Sequence, residues 1–171
     1  SLGYTYIDTK VKQVAAAATE GDGTPLGNSL VGTPFGTITP RVQVGSPFND
    51  TPKHKATLTA TYTLPLDESS GDISFGATFT YSSKYINDGS VPAMVNGIPL
   101  GVTPSHELLN LNFDWKSVAG SPIDLALFAT NVTNEQFTVN SSGGWFSAGV
   151  AEINLNQPRM YGARVRFNFG R

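Results

Sequence analysis

Strict two-residue alternation dominates this chain and most constrains what it can fold into. In Lys55 to Leu64, Ala56, Leu58, Ala60, Tyr62 and Leu64 alternate with Lys55, Thr57, Thr59, Thr61 and Thr63. In Asp72 to Ser82, Ile73, Phe75, Ala77, Phe79 and Tyr81 alternate with Ser74, Gly76, Thr78, Thr80 and Ser82. Leu109, Leu111, Phe113 and Trp115 stand opposite Asn110, Asn112, Asp114 and Lys116. Tyr161, Ala163, Val165, Phe167 and Phe169 stand opposite Arg164, Arg166 and Asn168. Leu2, Tyr4 and Tyr6 open the chain in the same way, and Ile123 to Val132 follows less cleanly, with Ala126 and Phe128 placing apolar groups on both faces. A period of two belongs to strands, because successive side chains point to opposite faces of a sheet. The spacing therefore predicts an all-β, antiparallel meander of about six long strands.

The connections alternate in length. Leu66 to Gly71 and Val118 to Pro122 are short turns, whereas Val14 to Thr51, Asn87 to Ser105 and Phe137 to Pro158 are long and rich in Gly, Pro, Asn, Ser and Thr. Short turns at one end and long loops at the other is the asymmetry of an outer-membrane barrel. A soluble sandwich with an aromatic core produces the same alternation, with the apolar face turned inward. Three features favour the membrane barrel. The polar faces are mostly uncharged Thr, Ser and Asn, as a wet lumen requires. The strands run to about ten residues, the length of a tilted membrane strand. Tyr4, Tyr6, Tyr62, Tyr81, Trp115 and Phe169 sit near strand ends, where interfacial rings are favoured.

Composition closes other doors. There is no cysteine, so a disulfide framework, a thiolate metal site and a thiol nucleophile are excluded. Eleven basic against 13 acidic side chains give a net charge of −2, which argues against a nucleic-acid module. Charged residues are 14% of the chain, below the ~25% of ordinary soluble domains. No apolar run reaches a membrane helix, and Ser1 opens directly on a strand pattern, so the expectation is a mature product or an excised piece without a signal peptide.

No catalytic constellation emerges, and the expectation is a protein that is not an enzyme and takes no cofactor or metal. His54 and His106 each begin a strand at its loop end, where a solvated histidine is the ordinary case. Asp67, Glu68 and Asp72 read as charges keeping a turn in water. Ser69, Ser82 and Ser105 have no His and Asp partners at readable spacing, and Gly21–Gly23 and Gly143–Gly144 lack the Lys-Ser/Thr of a phosphate loop. Asn49, Asn131 and Asn140 begin glycosylation-like triplets that an Asn- and Thr-rich chain produces by chance. Trp145 and Phe146, in a Gly-flanked loop, are the ligand-contact candidates: exposed rings can stack on a sugar or a siderophore ring, or pack the loop down.

Five stretches also resemble, in order, the C-terminal end of a TonB-dependent outer-membrane receptor. SLGYTYIDTKVK resembles a rising strand and its exit, and NDTPKHKATLTATYTLPL the descent that begins with a proline–lysine pair. ISFGATFTYSSKYIND resembles the next rising strand with its serine–lysine–tyrosine run. LFATNVTNEQF resembles the asparagine–threonine–asparagine element after the penultimate strand, and PRMYGARVRFNF the terminal strand. The family usually stops on the terminal aromatic, whereas Gly170 and Arg171 follow Phe169 here. The resemblance implies a segment of a plugged barrel of about 22 strands, residing in the Gram-negative outer membrane. It also implies energised uptake of a scarce ligand such as an iron–siderophore, cobalamin or an oligosaccharide. The implied partners are outer-membrane lipid, the ligand, and a TonB-type energy-transducing protein met through a plug region not found in this sequence.

Six strands fall short of the ~8 that enclose a packed interior. Two alternatives stay open beside the segment: edge-to-edge self-association, and an eight-stranded barrel completed by Phe35 to Gly45 and Trp145 to Asn154.

Overall fold

The computed structural model describes residues 1–13, 44–88, 94–142 and 149–169. Twelve strands form in these residues: β1 (Leu2–Tyr6), β2 (His54–Thr63), β3 (Asp72–Ser82), β4 (Tyr85–Ile86), β5 (Met94–Val95), β6 (Ile98–Pro99), β7 (Val102–Thr103), β8 (His106–Lys116), β9 (Ile123–Thr130), β10 (Thr138–Ser142), β11 (Glu152–Leu155) and β12 (Met160–Phe167). Five long strands of 8 to 11 residues and the five-residue β1 make one antiparallel sheet in the order β1-β2-β3-β8-β9-β12. This is the expected meander, each strand beside its predecessor among the strands of the sheet. The short ones make two-stranded ladders, β4 with β7, β5 with β6 and β10 with β11, all within the long connections.

The ladder register puts like beside like. Leu58 faces Phe79, Ala60 faces Ala77 and Tyr62 faces Phe75 between β2 and β3. Phe75 then faces Phe113, and Phe113 faces Leu127, with the Phe75 and Phe113 rings 5.2 Å apart. On the opposite face Thr59 meets Thr78, and Thr78 meets Asn110. Cross-strand pairs of this kind contribute roughly 0.2–1 kcal/mol each, and a slip by one residue would exchange the two faces entirely.

Several strand ends differ from the alternation-based bounds: β2 stops at Thr63 and not Leu64, β8 begins at His106, and β9 and β12 stop early. β9 stops at Thr130 because Asn131 adopts a left-handed backbone, φ 48°, after which Val132 N–H still donates to Leu109 O at 2.9 Å. β12 stops at Phe167, and Asn168 N–H turns to Pro122 O at 2.8 Å. The off-pattern Phe128 has a structural reason. It faces Gly162 on β12, where a Cβ would lie 2.7 Å from the ring. The ring covers the only residue type that leaves room for it.

The short connections lie together at one end. The turn at Glu68–Ser70 and the turn at Val118–Gly120 touch, and Trp115 Nε1–H donates to Ser70 O at 2.8 Å. Gly71, φ 75°, is pressed against the carbonyls of Lys116 and Ser117, leaving no space for a side chain. The described parts of the long connections gather at the other end, where they form a layer of their own. Among the described residues the only buried apolar side chains, Leu100 and Phe137, belong to that layer and not to the sheet.

β1 and β12 are the sheet's two edges and do not pair with each other. Among the described residues the sheet has six strands and is open. Phe35 to Gly45 lies almost wholly outside the described residues. In Trp145 to Asn154 the described part contributes to β11, which pairs with β10 in the loop layer and does not join the sheet.

Candidate functional site

Three surfaces could carry function, and each is built by a different part of the sequence. The first is the apolar face. Leu58, Phe75, Leu111, Leu127, Val165 and Phe167 all point to it and all are exposed, Val165 to 69%. No second layer covers them among the described residues. A shallow depression of about 470 Å³ lies over the row of Ala60, Ala77 and Ala129, rimmed by Tyr62, Phe113 and Leu127. From Ile73 to Tyr81 the apolar face runs about 26 Å along the strand, or about 20 Å of height at a barrel tilt of about 40°. That approaches the ~25 Å apolar band of an outer-membrane barrel.

Aromatic groups fringe this face at both ends. At the loop end Tyr4 OH and His54 Nδ1 share a hydrogen bond of 2.7 Å, and the Tyr6 ring lies 5.2 Å from the His54 ring. Lys53 Nζ sits 5.5 Å from the Tyr6 ring centre and 3.5 Å from an Asp8 carboxylate oxygen. The neighbouring Tyr6 hydroxyl and the Asp8 charge hold the Lys53 ammonium above the ordinary lysine range. At the turn end stand Trp115 and the Phe167–Phe169 pair, whose rings are 4.7 Å apart.

The second surface is the polar face, with Thr59, Thr78, Asn110, Asn112, Arg164 and Arg166 in register across the sheet. Asn112 Nδ2–H donates to Asp114 at 2.9 Å, and a small cleft at the turn end is lined by Asp114, Lys116, Asp124, Arg164 and Arg166. Opposite charges stand side by side here on a polar face that is otherwise mostly uncharged.

The third surface is the loop layer, and here burial is polar. Ser141 Oγ–H donates to Asn87 Oδ1 at 3.0 Å, Asn87 Nδ2–H to Thr103 Oγ1 at 3.2 Å, and Thr103 Oγ1–H to Thr138 O at 2.8 Å. Thr103 is 0% exposed, and Asn87, Thr138 and Ser141 are nearly so. Asn131 is a second hub: its Nδ2 donates to the carbonyls of Glu135 and Gln157, and its Oδ1 accepts from Glu135 N–H. Asn156 reinforces the same knot, donating to Glu135 O and accepting from Phe137 N–H. His106 stacks on Phe137 at 3.7 Å, its Nδ1–H donating to Pro104 O.

Trp145 and Phe146 lie outside the described residues. Both histidines are engaged with aromatic groups, His54 with the Tyr4 hydroxyl and His106 with the Phe137 ring. Asp67, Glu68 and Asp72 are exposed on the turn end. Asn131, read as a chance glycosylation triplet, is 4% exposed and has its amide fully used. The loop-layer residues Asn87, Thr103, Thr138, Ser141 and Asn156 were not legible as a group. Their partners stand as far as 54 positions apart, and only the dense run of Asn after Thr130 marked the place.

No family model and no curated protein matches the chain. Among solved structures it is similar to the ferric yersiniabactin uptake receptor FyuA from Yersinia pestis, with a TM-score of 0.56 and 11% identity. The likeness covers 71% of this chain and 17% of that one. At such identity the likeness concerns the fold: an antiparallel sheet of the kind found in a β-barrel receptor.

Proposed function

We propose that this chain supplies the C-terminal strands of a larger TonB-dependent outer-membrane receptor, which takes up a scarce, bulky ligand such as an iron–siderophore, cobalamin or an oligosaccharide. The observation that carries the reading is inverted burial. The side chains that a soluble sheet would bury are exposed along a continuous face, and burial occurs in the loop layer. An exposed apolar face this large is a surface awaiting another apolar phase, and lipid fits its height and its aromatic fringes. The structural likeness to an uptake receptor and the five receptor-like sequence stretches support the same reading.

In this reading the polar face lines the barrel interior and the loop layer faces the outside, where ligand is first met. Trp145 and Phe146 remain ligand-contact candidates by their place in that layer. The protein is not an enzyme and needs no cofactor. Energy reaches it from a TonB-type protein through the plug region that the family carries.

The test is fractionation of the producing cells followed by growth under iron limitation on ferric siderophores, with cyanocobalamin and maltohexaose as further probes. The reading expects the protein in the outer-membrane fraction, released only by detergent, and loss of growth or uptake on one probe when the gene is deleted. A monomer that stays in solution without detergent overturns it.

A second reading follows from the free edges. β1 and β12 run antiparallel and both lack an outer neighbour among the described residues. Two copies could pair β1 with β12 twice and close a twelve-stranded ring. Mass measurement in detergent separates the two: one copy per particle for a receptor, two for the ring.

A further inference from the structure

We propose that the loop end of the chain carries an anion pocket for a phosphate group, formed by Lys10, Lys53 and Lys84 around a cavity of about 300 Å³. Three separate stretches deliver the three lysines to the lining. Lys10 follows β1, Lys53 precedes β2 and Lys84 follows β3. Backbone bonds hold the first two stretches together: Ile7 N–H donates to Lys53 O at 3.0 Å and Val11 N–H to Ser46 O at 2.9 Å. Phe48 N–H adds a bond to Thr9 Oγ1 at 3.0 Å. Asp50 N–H donates to Ile86 O at 2.7 Å and ties the third stretch to them.

Among the described residues Asp8 is the one acidic side chain in the lining, which there sets three lysines against one carboxylate, in a chain whose net charge is −2. Asp8 is paired with Lys53 at 3.5 Å. Among the described residues no carboxylate lies within ion-pair distance of Lys10 or Lys84. A monoanionic carboxylate would leave this surplus partly unmatched, whereas a phosphate monoester carries up to two charges on oxygens that point outward in several directions. Lysines serve such a group as movable point charges. Ile7, Ile86 and Val102 give the same cavity an apolar wall.

The Lys53 ammonium stands over Tyr6, at the loop-end rim of the apolar face. The phosphate can therefore arrive on an amphiphile whose chains lie along Leu2 and Leu58, or as a free anion. The amphiphile source rests on the barrel reading; the pocket itself does not.

The test titrates the purified chain in dodecyl maltoside with dihexanoyl phosphatidic acid, dihexanoyl phosphatidylcholine and inorganic pyrophosphate. Each ammonium near the phosphate is worth roughly a fivefold gain in affinity, so the Lys10→Gln, Lys53→Gln, Lys84→Gln triple variant should bind phosphatidic acid about a hundredfold more weakly. Lys55→Gln, on the polar face, should change nothing, and Lys53→Arg should keep binding. Phosphatidic acid binding without pyrophosphate binding identifies a headgroup site; pyrophosphate binding identifies a free-anion site. Absence of binding by either phosphate probe, equal binding of phosphatidylcholine, or a triple variant that binds like wild type overturns the pocket. If the chain proves soluble without detergent, the barrel reading fails, and the same titration in plain buffer still decides the pocket.

Discussion

The sheet and the loop layer solve burial in opposite ways. On the sheet, apolar side chains stand exposed in register, while Thr and Asn hold the other face. In the loop layer, Asn87, Thr103, Asn131 and Ser141 are buried and their polar atoms are partnered by other loop groups. A buried amide without a partner costs more than its hydrogen bond contributes. Among the described residues the buried side-chain amides and hydroxyls of the loops therefore find their partners mostly within the loop layer, while Asn131 N–H ties it to Asn110 of the sheet. The sheet differs: its inner ladders are paired, β1 and β12 have no outer neighbour among the described residues, and its apolar face stands exposed. The difference locates stability in the loops and environment-dependence in the sheet.

The largest effect is expected at the loop hub. Asn131→Ala leaves the Glu135 N–H without its partner, takes one of two donors from the carbonyls of Glu135 and Gln157, which keep Asn156, and places Ala in a left-handed backbone. At about 1–3 kcal/mol for the unsatisfied N–H and about 1–2 kcal/mol for the left-handed backbone, the loss should be about 2–5 kcal/mol, read as a lowered unfolding midpoint in detergent. A midpoint unchanged from wild type would show that the loop layer contributes no stability.

On the sheet the expected effect depends on face. Leu111→Arg, at mid-height of the apolar face, should cost roughly 2–4 kcal/mol of membrane-folded stability. Thr78→Arg, on the polar face one strand away, should cost little. Refolding into lipid vesicles at graded urea measures both. Equal costs for the two would remove the distinction between faces.

At the turn end, Gly71→Ala meets the carbonyls of Lys116 and Ser117 and a positive φ, an expected loss of about 2 kcal/mol. Trp115→Phe removes only the bond to Ser70 O, about 1 kcal/mol. The same unfolding curves rank these two between the sheet and solvent-exposed controls such as Glu68→Gln.

The two regions also differ in how far they could be read from the chain. The six strands of the sheet were legible because Ile73 to Tyr81 and its counterparts repeat a pattern that only a sheet satisfies, and the short and long connections sort to opposite ends as their lengths imply. Phe128 broke the pattern because its reason, Gly162, stands on another strand. β10 was not legible: Thr138–Ser142 has one apolar residue, and it pairs through a register shift with β11. The loop network escaped because hydrogen bonds between Asn and Thr side chains leave no periodicity. Their partners are set by where the loops return, which the sheet decides.

The central claim is that the exposed apolar face of β3 looks into lipid. The chain has no cysteine, so single cysteines can be placed along β3 and spin-labelled without background. Labels at Phe75, Ala77 and Phe79 in vesicle-folded protein should collide readily with lipid-soluble oxygen and poorly with a water-soluble nickel chelate. Labels at Ser74, Thr78 and Thr80 should show the reverse, giving a two-residue oscillation along the strand. If the first set is shielded from both agents, or is reached by the nickel chelate, the face is covered by protein or open to water, and the account is contradicted.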